Sequence, residues 1–589
     1  MVEEPAKRRQ KVAAERLYMA SQYLSRETKK DLGLMLQVPM YVQDPEVARL
    51  RENLGIRNID LDWEPGLADG PTSARVAVVD YNADTGLVAQ PARWDEAGRR
   101  FLEADDPASF QFHQVNVWAV VQNTLSFFED PHVMGRPIPW GFDGSRLIVV
   151  PHAGNLRNAY YDRSSKSLQL YYFGAAERPV YTCLSHDIIS HETGHAVLDG
   201  IRPSYNTISS SQTAAFHEFL ADLTAILSAL RNNDVRTVVA ETSKGDLFSD
   251  DTIADLAEQF ARDEVVAVYG EAQRYYLRTA KNNLTMKEIQ GEWEPHECSQ
   301  VLTGAMFKIL SEINKLQLAD EPKPSPAEAL WRATSHLNRM ALRALDYCPP
   351  VDIQFIDYAR AVLRADELAY PRDSKGYRTI IAQEFTRRGL EELATPAAPS
   401  RMDFLWKFTI DQIARSRTAA YSFLHDNRKA MHIPPQHDLT VTDLYYTDKL
   451  VEAEKCLPQE IVLEYVWEED VKLEGPRFGG FQGQSIPLSC GGTLVFDGRG
   501  NVLHWSKKPG IEGAEGADKQ EGEQRRELML RYVEALIQAG MLGMAAGEGA
   551  AELALGTAAV VARPAQGRLR LEATPHLMHV GMGKGGHDA

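Results

Sequence analysis

Hydrophobic and polar positions follow different patterns in successive parts of this chain. Short apolar runs rich in β-branched residues predict strands at 76–79, 147–150 and 168–173. An apolar stripe at helical spacing predicts a buried helix at 112–128. From 182 to 393 apolar residues recur mostly at helical spacing, with few strand signals. The pattern therefore predicts an α+β protein whose strands precede a long helical region.

The remainder of the chain follows a different pattern. A Pro/Ala run at 395–399 predicts a domain boundary, and a helix is predicted near 404–423. Two short apolar runs around Asp-Gly-Arg-Gly predict a hairpin at 493–505, whereas 507–524, rich in Gly, Glu and Lys, is predicted to be flexible. The predicted segments are an N-terminal arm or extension (1–74), a mixed first lobe (75–215), a helical second lobe (216–394), an α/β accessory domain (400–506), and a flexible linker with a short amphipathic helix and tail (507–589).

Composition narrows the class of protein. The 589 residues carry a formal net charge of −18, and no long basic patch interrupts the acidic balance. Such a surface repels phosphate backbones and anionic lipids, so we expect neither a nucleic-acid partner nor membrane binding. The five cysteines are scattered and form no CxxC pair, which is typical of a reducing compartment.

The ends of the chain show no clear targeting or membrane segment. The first 30 residues are charged throughout and lack an apolar signal-peptide core. The most membrane-like stretch, 537–562, is rich in Gly and Ala and contains Glu548 and Glu552, so it is a poor transmembrane candidate. We therefore expect a cytoplasmic protein, although a dedicated secretion system could export it.

One segment concentrates chemically active side chains, the HExxH string His191-Glu192-Thr-Gly-His195. On a helix, residues four apart lie on the same face, so His191 and His195 can bind one metal ion. Glu192 then projects beside the metal, where a carboxylate can take a proton from water. Catalytic zinc sites usually have three protein ligands plus a water, so a third ligand is required.

The segment 214–223 supplies candidates for that third ligand. Glu218 follows His195 at a distance that allows a loop and a returning helix. Asp222 lies one helical turn later and can accept the remaining N–H of a ligand histidine. His217 is the alternative ligand, but it would leave the Glu218/Asp222 pair unexplained. We therefore expect Glu218 to complete the site.

These two segments together resemble the thermolysin-like, or gluzincin, zinc metallopeptidases, and the resemblance covers roughly 115–393. It implies a two-lobed zincin-type fold, with a mixed α/β N-lobe and a mainly helical C-lobe. It also implies one catalytic zinc and a zinc-dependent endopeptidase that acts on peptides or proteins with Glu192 as general base. The chain beyond residue 395 matches no pattern that we can name.

The same resemblance assigns two further catalytic residues. His296 stands at the head of a helix-like segment, 296–310, as does the catalytic histidine of the family. Tyr205, ten residues past His195, is placed like the family's oxyanion-stabilising tyrosine. On this basis both would donate hydrogen bonds to the developing oxyanion. The plain alternatives are a helix cap for His296 and a structural tyrosine for Tyr205.

Substrate contacts are implied in the same way. Asn158 and Ala159 precede an aromatic pair before a strand, like the cleft segment that holds the peptide backbone in the family. An ordinary turn before a strand is the alternative. Arg278 is a candidate contact to the substrate carbonyl, with Arg274 as its competitor, and either can be a solvated helix residue.

Two absences from the sequence refine this expectation. Asp187 is the one calcium-ligand-like residue in place, and Ala229 stands where an acidic calcium ligand would be expected, so we expect no structural calcium. No GxMEN-like exopeptidase motif occurs, which favours an endopeptidase. The alternative is a partner-regulated or catalytically silent protein whose C-terminal region binds a protein partner. An intact Glu192 argues against silence, because a scaffold has no use for a general base.

Overall fold

The computed structural model describes residues 24, 26–64, 66–175, 178–249, 253, 255–256, 278–391, 393, 408–451, 457–544, 560–565 and 567–573. The predicted linker at 395–399, Arg274, the start of the helix predicted near 404 and most of the predicted tail lie outside these residues. The described part combines helices and sheets, which confirms the α+β class.

The helices are α1 (Arg26–Asp31), α2 (Pro45–Leu50), α3 (Phe110–Glu129), α4 (His186–Ile201), α5 (Ser211–Ala229), α6 (Asn233–Ser243), α7 (Pro295–Leu318), α8 (Pro326–Arg343), α9 (Phe355–Ala369), α10 (Tyr377–Arg387), α11 (Ile410–Ile413), α12 (Arg417–Asp426) and α13 (Gly516–Gln538). Short 3₁₀ helices lie at Glu52–Leu54, Thr182–Leu184, Pro203–Asn206, Leu247–Ser249, Ala344–Tyr347 and Pro476–Phe481.

The strands are β1 (Met35–Tyr41), β2 (Ile56–Asp62), β3 (Val76–Val78), β4 (Tyr81–Asn82), β5 (Leu87–Val88), β6 (Arg93–Asp95), β7 (Arg100–Leu102), β8 (Leu147–Val150), β9 (Ala159–Asp162), β10 (Ser167–Leu170), β11 (Tyr172–Ala175), β12 (Arg178–Tyr181), β13 (Asp255–Leu256), β14 (Arg278–Thr279), β15 (Thr440–Thr447), β16 (Glu460–Lys472), β17 (Ser485–Asp497), β18 (Val502–Lys508), β19 (Leu542–Met544), β20 (Val560–Ala565) and β21 (Arg568–Ala573).

A four-stranded sheet, ordered β3-β8-β10-β9, underlies the site. Strands β3, β8 and β10 run parallel, whereas β9 pairs antiparallel with β10 and forms an edge of this sheet. The predictions of strands at 76–79 and 147–150 and of the helix at 112–128 are confirmed by β3, β8 and α3. The predicted strand at 168–173 is instead divided between β10 and β11, because Tyr171 leaves the sheet and its N–H donates to Thr182 Oγ1 at 3.0 Å.

The predicted N-terminal arm is in part an element of the same core. Strands β1 and β2 form an antiparallel hairpin, and Leu36, Val38 and Met40 are buried in the core that α3 also lines. The Tyr41 N–H donates to Asn116 Oδ1 of α3 at 2.8 Å. Residues 35–62 therefore belong structurally with the segment that was predicted as the first lobe.

Two helices at the centre of the core approach each other closely. A Cβ added to Gly194 of α4 would lie 3.0 Å from Ala221 Cα and 3.2 Å from Thr224 Oγ1 of α5. Glycine inside the HExxH string therefore permits the backbone-to-backbone packing of α4 on α5. The capping side chain of Ser210 accepts from Thr213 N–H at 3.3 Å and starts α5.

The C-terminal part contains an antiparallel sheet, β15-β16-β17-β18, with its own hydrophobic core. The predicted hairpin at 493–505 is confirmed, because β17 and β18 flank a turn in which Asp497 Oδ1 accepts from Arg499 and Asn501 N–H. The prediction that 507–524 is flexible is wrong. Strand β18 continues to Lys508 and α13 begins at Gly516, because the buried guanidinium of Arg525 pairs with Asp352 at 2.6 Å and holds this helix in place.

Buried charges connect the C-terminal sheet to the helical region. Asp346 lies 2.9 Å from Arg136 Nη2 and 2.8 Å from Lys449 Nζ, and Lys449 also contacts Glu460 at 2.8 Å. Burial alone would raise the pKa of Asp346, but the two cations hold it well below its usual range. The accessory region therefore shares a desolvated ionic network with the rest of the protein.

Within the described residues, no single helix is both long and apolar enough to cross a membrane. The pair α5 and α6 meets the length and composition criteria together, with a bend of 95° between them.

Candidate metal centre

Helix α4 presents two histidines on one face in the interior of the protein. His191 and His195 are buried, and their Nε2 atoms lie 3.1 Å apart. The i, i+4 spacing accounts for this convergence, because residues four apart stand one turn above each other. Two imidazole nitrogens this close share either the proton of an N–H···N hydrogen bond or a metal ion.

Helix α5 adds a carboxylate to the pair. Glu218 Oε2 lies 3.4 Å from His191 Nε2, and Oε1 lies 3.6 Å from His195 Nε2. One ligand atom from each of the three residues lies within 4.8 Å of the others. His217 is not a member of this group. Its ring stacks on His195 with centroids 5.9 Å apart, and burial lowers its pKa to about 4.

Asp222 orients one of the candidate ligands. The His191 Nδ1–H donates to Asp222 Oδ1 at 2.9 Å, which turns Nε2 toward Glu218. Burial alone would lower the pKa of His191, but hydrogen bonds to Asp222 and Glu218 raise it to about 9. The pocket thus stabilises positive charge at the point where a metal ion would bind. The site fits zinc with one position left for water. The ligands would be the two imidazoles and the Glu218 carboxylate, and the Asp222 carboxylate would support His191 from its other ring nitrogen.

Removing the charge of Asp222 should weaken metal binding. We expect Asp222→Asn to lower zinc affinity by about 10- to 100-fold, because the amide supports the imidazole less strongly than the carboxylate. Competition with a chromophoric chelator measures the change.

The matched control is Asp366→Asn, which alters an equally buried carboxylate that accepts from His336 Nε2 at 2.9 Å outside this group. Its zinc affinity should match the wild type. Equal affinities for Asp222→Asn and the wild type would contradict the orienting role.

The side chain of Glu192, on α4, is held against the edge strand β9. Its Oε2 accepts the Tyr161 N–H at 3.0 Å, and the carboxylate is almost fully buried. The hydroxyl of Tyr161 donates to Asp199 Oδ2, also on α4, at 2.7 Å. Two hydrogen bonds from one strand residue therefore fix the position of Glu192 relative to the sheet. The HExxH pattern contains no signal for Tyr161, because the contact uses a backbone N–H.

His296 reaches the same group from the start of α7. Its Nε2 lies 3.1 Å from Glu218 Oε2, and its Nδ1 lies 2.6 Å from Glu294 Oε1. Glu294 is also the N-cap of α7, since its other oxygen accepts the Glu297 N–H at 2.7 Å. An acidic residue just before a proline at the first helical position is a sequence signal that predicts this cap.

Tyr205 does not join this group, and the geometry is inconsistent with its predicted role. It is fully buried in the 3₁₀ turn after α4, and its hydroxyl donates to Pro349 O at 2.6 Å. Its ring packs edge-on against Phe216. The single phenolic proton is thus committed to a backbone carbonyl in the core, where Tyr205 fastens the segment between α4 and α5.

The predicted substrate contacts Asn158 and Ala159 precede Tyr161 in the chain by three and two residues. Asn158 and Ala159 are buried at the start of β9, and the Asn158 side-chain oxygen accepts the Ala159 N–H at 2.9 Å. Arg278 belongs to β14, which pairs with β13, and its side chain lies outside the described part of the structure.

Comparisons with known proteins add one structural similarity. No protein-family profile matches the sequence, and no curated protein matches it. Among solved structures, the chain is similar to the precursor of protealysin, a metalloproteinase from Serratia proteamaculans, at 16% identity and a TM-score of 0.36. The similarity covers 54% of this chain and 89% of that chain. A TM-score this low does not establish a shared fold.

Proposed function

We propose that this protein is a zinc-dependent endopeptidase of the thermolysin-like type, with His191, His195 and Glu218 as metal ligands. The observation that carries the proposal is the buried three-residue group with Glu192 fixed beside it. Three protein ligands and one open position are typical of catalytic zinc sites, whereas structural sites are usually closed by four. In this proposal α3, α4 and the sheet form the N-lobe of a two-lobed zincin-type fold, and α5–α10 form the C-lobe.

The side chains divide the chemistry among them. A bound zinc ion would supply Lewis acidity for the scissile carbonyl and the attacking water. Glu192 takes the proton of that water and passes it to the leaving amine. His296 donates from Nε2 toward the developing oxyanion, with its ring held by Glu294. Asp222 keeps His191 in the tautomer whose Nε2 lone pair can bind metal.

Strand β9 is suited to hold an extended peptide. Tyr161 turns its N–H away from β10 to reach Glu192, and backbone groups alternate along a strand. The Ala159 carbonyl therefore lies on the same outer side of this sheet edge. A substrate backbone can add here as a further antiparallel strand, with its scissile bond near Glu192. The absence of an exopeptidase motif from the sequence supports cleavage within chains.

The alternative proposal is a peptidase whose activity depends on a protein partner bound to the C-terminal region. One contact supports it: the Ile208 N–H, between α4 and α5, donates to Leu571 O of β21 at 3.2 Å. A partner that moves β21 would act on the segment that joins the two metal-binding helices. We also propose a cytoplasmic location, supported by the finding that none of the four described cysteines forms a disulfide.

The direct test is cleavage of a mixed peptide library, read by mass spectrometry, before and after metal removal. We expect cleavage by the purified protein, loss of cleavage with a chelator, and recovery on addition of zinc. The side chains that flank the cut sites would define specificity. Zinc-loaded protein that cuts no peptide would overturn the endopeptidase proposal for the isolated chain and favour the partner-dependent alternative.

A further inference from the structure

We infer that the chain holds a second metal ion, of the zinc type, between His113, His152 and Cys183. The three side chains are almost completely buried, and one ligand atom from each lies within 4.8 Å of the others. They come from separate elements: the first turn of α3, the loop after β8, and the 3₁₀ helix that precedes α4. This site is distinct from the proposed catalytic centre and does not depend on its function.

The hydrogen bonds of the two imidazoles leave a cation unaccounted for. His152 Nδ1 lies 2.8 Å from Asp80 Oδ1, and His113 Nε2 lies 3.0 Å from Pro107 O. Because a carboxylate and a carbonyl only accept, each of these outer nitrogens carries a proton. The inner nitrogens, His113 Nδ1 and His152 Nε2, then both present lone pairs at a separation of 2.8 Å. Two facing lone pairs at this distance need a proton or a metal ion between them.

The position of Cys183 favours a metal ion over a proton between the two imidazoles. Its Sγ lies 3.8 Å from His152 Nε2, on the same inner side of that ring. Around a tetrahedral zinc with ordinary bond lengths, sulfur and nitrogen ligands lie about 3.5 Å apart and two nitrogens about 3.3 Å apart. The distance from Cys183 Sγ to His152 Nε2 is close to the sulfur–nitrogen value. The distance between the two inner nitrogens, 2.8 Å, is shorter than the nitrogen–nitrogen value. The pair His191 and His195 of the proposed catalytic centre is also closer than this reference, at 3.1 Å, although by less.

The surroundings supply orientation and charge. Asp80, itself buried, is held by the Gln114 side-chain N–H at 2.8 Å and fixes the tautomer of His152. A Cys183 thiolate and the Asp80 carboxylate together balance a buried divalent ion. Binding releases the thiol proton and the proton shared by the imidazoles to solvent. Imidazole and thiolate ligands suit zinc far better than calcium or magnesium.

The three protein ligands leave a fourth coordination position open, as at the proposed catalytic centre. The position of the cluster in the fold nevertheless implies a structural effect. Cys183 lies three residues before His186, where α4 begins, and its carbonyl accepts from Asn116 of α3 at 2.8 Å. A metal bound here would join α3, the end of β8 and the approach to α4. It would thereby stabilise the helix that carries His191 and His195.

Cobalt substitution tests the inference, because thiolate ligands give cobalt(II) an intense near-ultraviolet charge-transfer band. Histidine and carboxylate ligands do not, so the catalytic group is silent in this region. We expect two metal ions per chain in the wild type, and a thiolate band when the protein is produced in cobalt-supplemented medium. His191→Ala should lose one ion and keep the band. Cys183→Ser should lose the other ion together with the band.

The matched control is Cys490→Ser, which changes a cysteine that is equally buried but lies in the C-terminal sheet. It should keep two ions and the band. Wild-type protein with one metal ion and no thiolate band would overturn the inference, even if Cys183→Ser failed to fold. A band that survives in folded Cys183→Ser would also overturn it.

Discussion

Glu192→Gln should abolish peptide hydrolysis while the protein keeps its metal. The amide has nearly the shape of the carboxylate but cannot accept a proton from the attacking water. General-base catalysis of this kind contributes about 10²- to 10⁴-fold to the rate, so we expect kcat to fall by that factor. Its side-chain oxygen can still accept the Tyr161 N–H that positions residue 192. Steady-state kinetics and metal analysis on the same preparation measure both effects.

A suitable control is Glu64→Gln, which neutralises a glutamate as buried as Glu192 and hydrogen-bonded to Gln122. This variant should keep both its metal and its turnover. If Glu192→Gln lost zinc, the glutamate would be acting on the metal and not as the base. Full activity in that variant would exclude Glu192 as the proton acceptor.

Asp346→Asn should have the largest effect on stability. Asp346 is fully buried between Arg136 and Lys449, so the substitution leaves two desolvated cations without their shared counter-charge. Breaking a buried ionic group in this way costs about 3–5 kcal/mol in the free energy of unfolding. The change should appear as a lower denaturant midpoint and as faster proteolysis of the C-terminal region.

The pH dependence of this difference has a definite sign. The pKa of Asp346 is lower in the folded protein than in the unfolded chain, where an aspartate titrates near about 3.9. Its contribution is therefore complete above that pH and is lost as the pH falls through the folded-state value. The gap between wild type and Asp346→Asn should stay constant from neutrality down to about pH 4 and narrow below it.

Glu527→Gln is the control for this pair of measurements. Glu527 makes a solvent-exposed ion pair with Arg531 at 2.9 Å, and exposed pairs contribute about 0–1 kcal/mol. An equally small effect for Asp346→Asn would show that the C-terminal region is not held by the buried network. The network also means that truncation near residue 394 would expose buried charges, so point variants test regulation more cleanly than removal of the region.

The sequence predictions are accurate for features that depend on neighbouring residues and fail for features that depend on residues far apart in the chain. The helix 112–128, the strand at 147–150 and the hairpin at 493–505 are local patterns, and each appears in the structure. The prediction of a flexible segment at 507–524 failed because Arg525 pairs with Asp352, 173 residues earlier in the chain. Composition reports local preference and contains no information about such a partner.

The candidate catalytic site shows the same division. His191 and His195 converge because helix geometry brings residues four apart onto one face, and that much follows from spacing. Tyr205 was placed by counting residues from His195, but a 3₁₀ turn directs its ring into the core and its hydroxyl to Pro349. Spacing along the chain therefore predicts the direction of a side chain within a helix, but not after that helix has ended.

By itself, the sequence determined the α+β class, the acidic charge balance and the HExxH helix, because composition and short-range periodicity are properties of neighbouring residues. Only the tertiary structure decided how Tyr161 holds Glu192 and how the C-terminal sheet shares buried charges with the helices. It also brought together His113, His152 and Cys183, which lie 39 and 31 residues apart along the chain. Contacts of this range depend on how several elements pack at once, and packing is decided by the whole core.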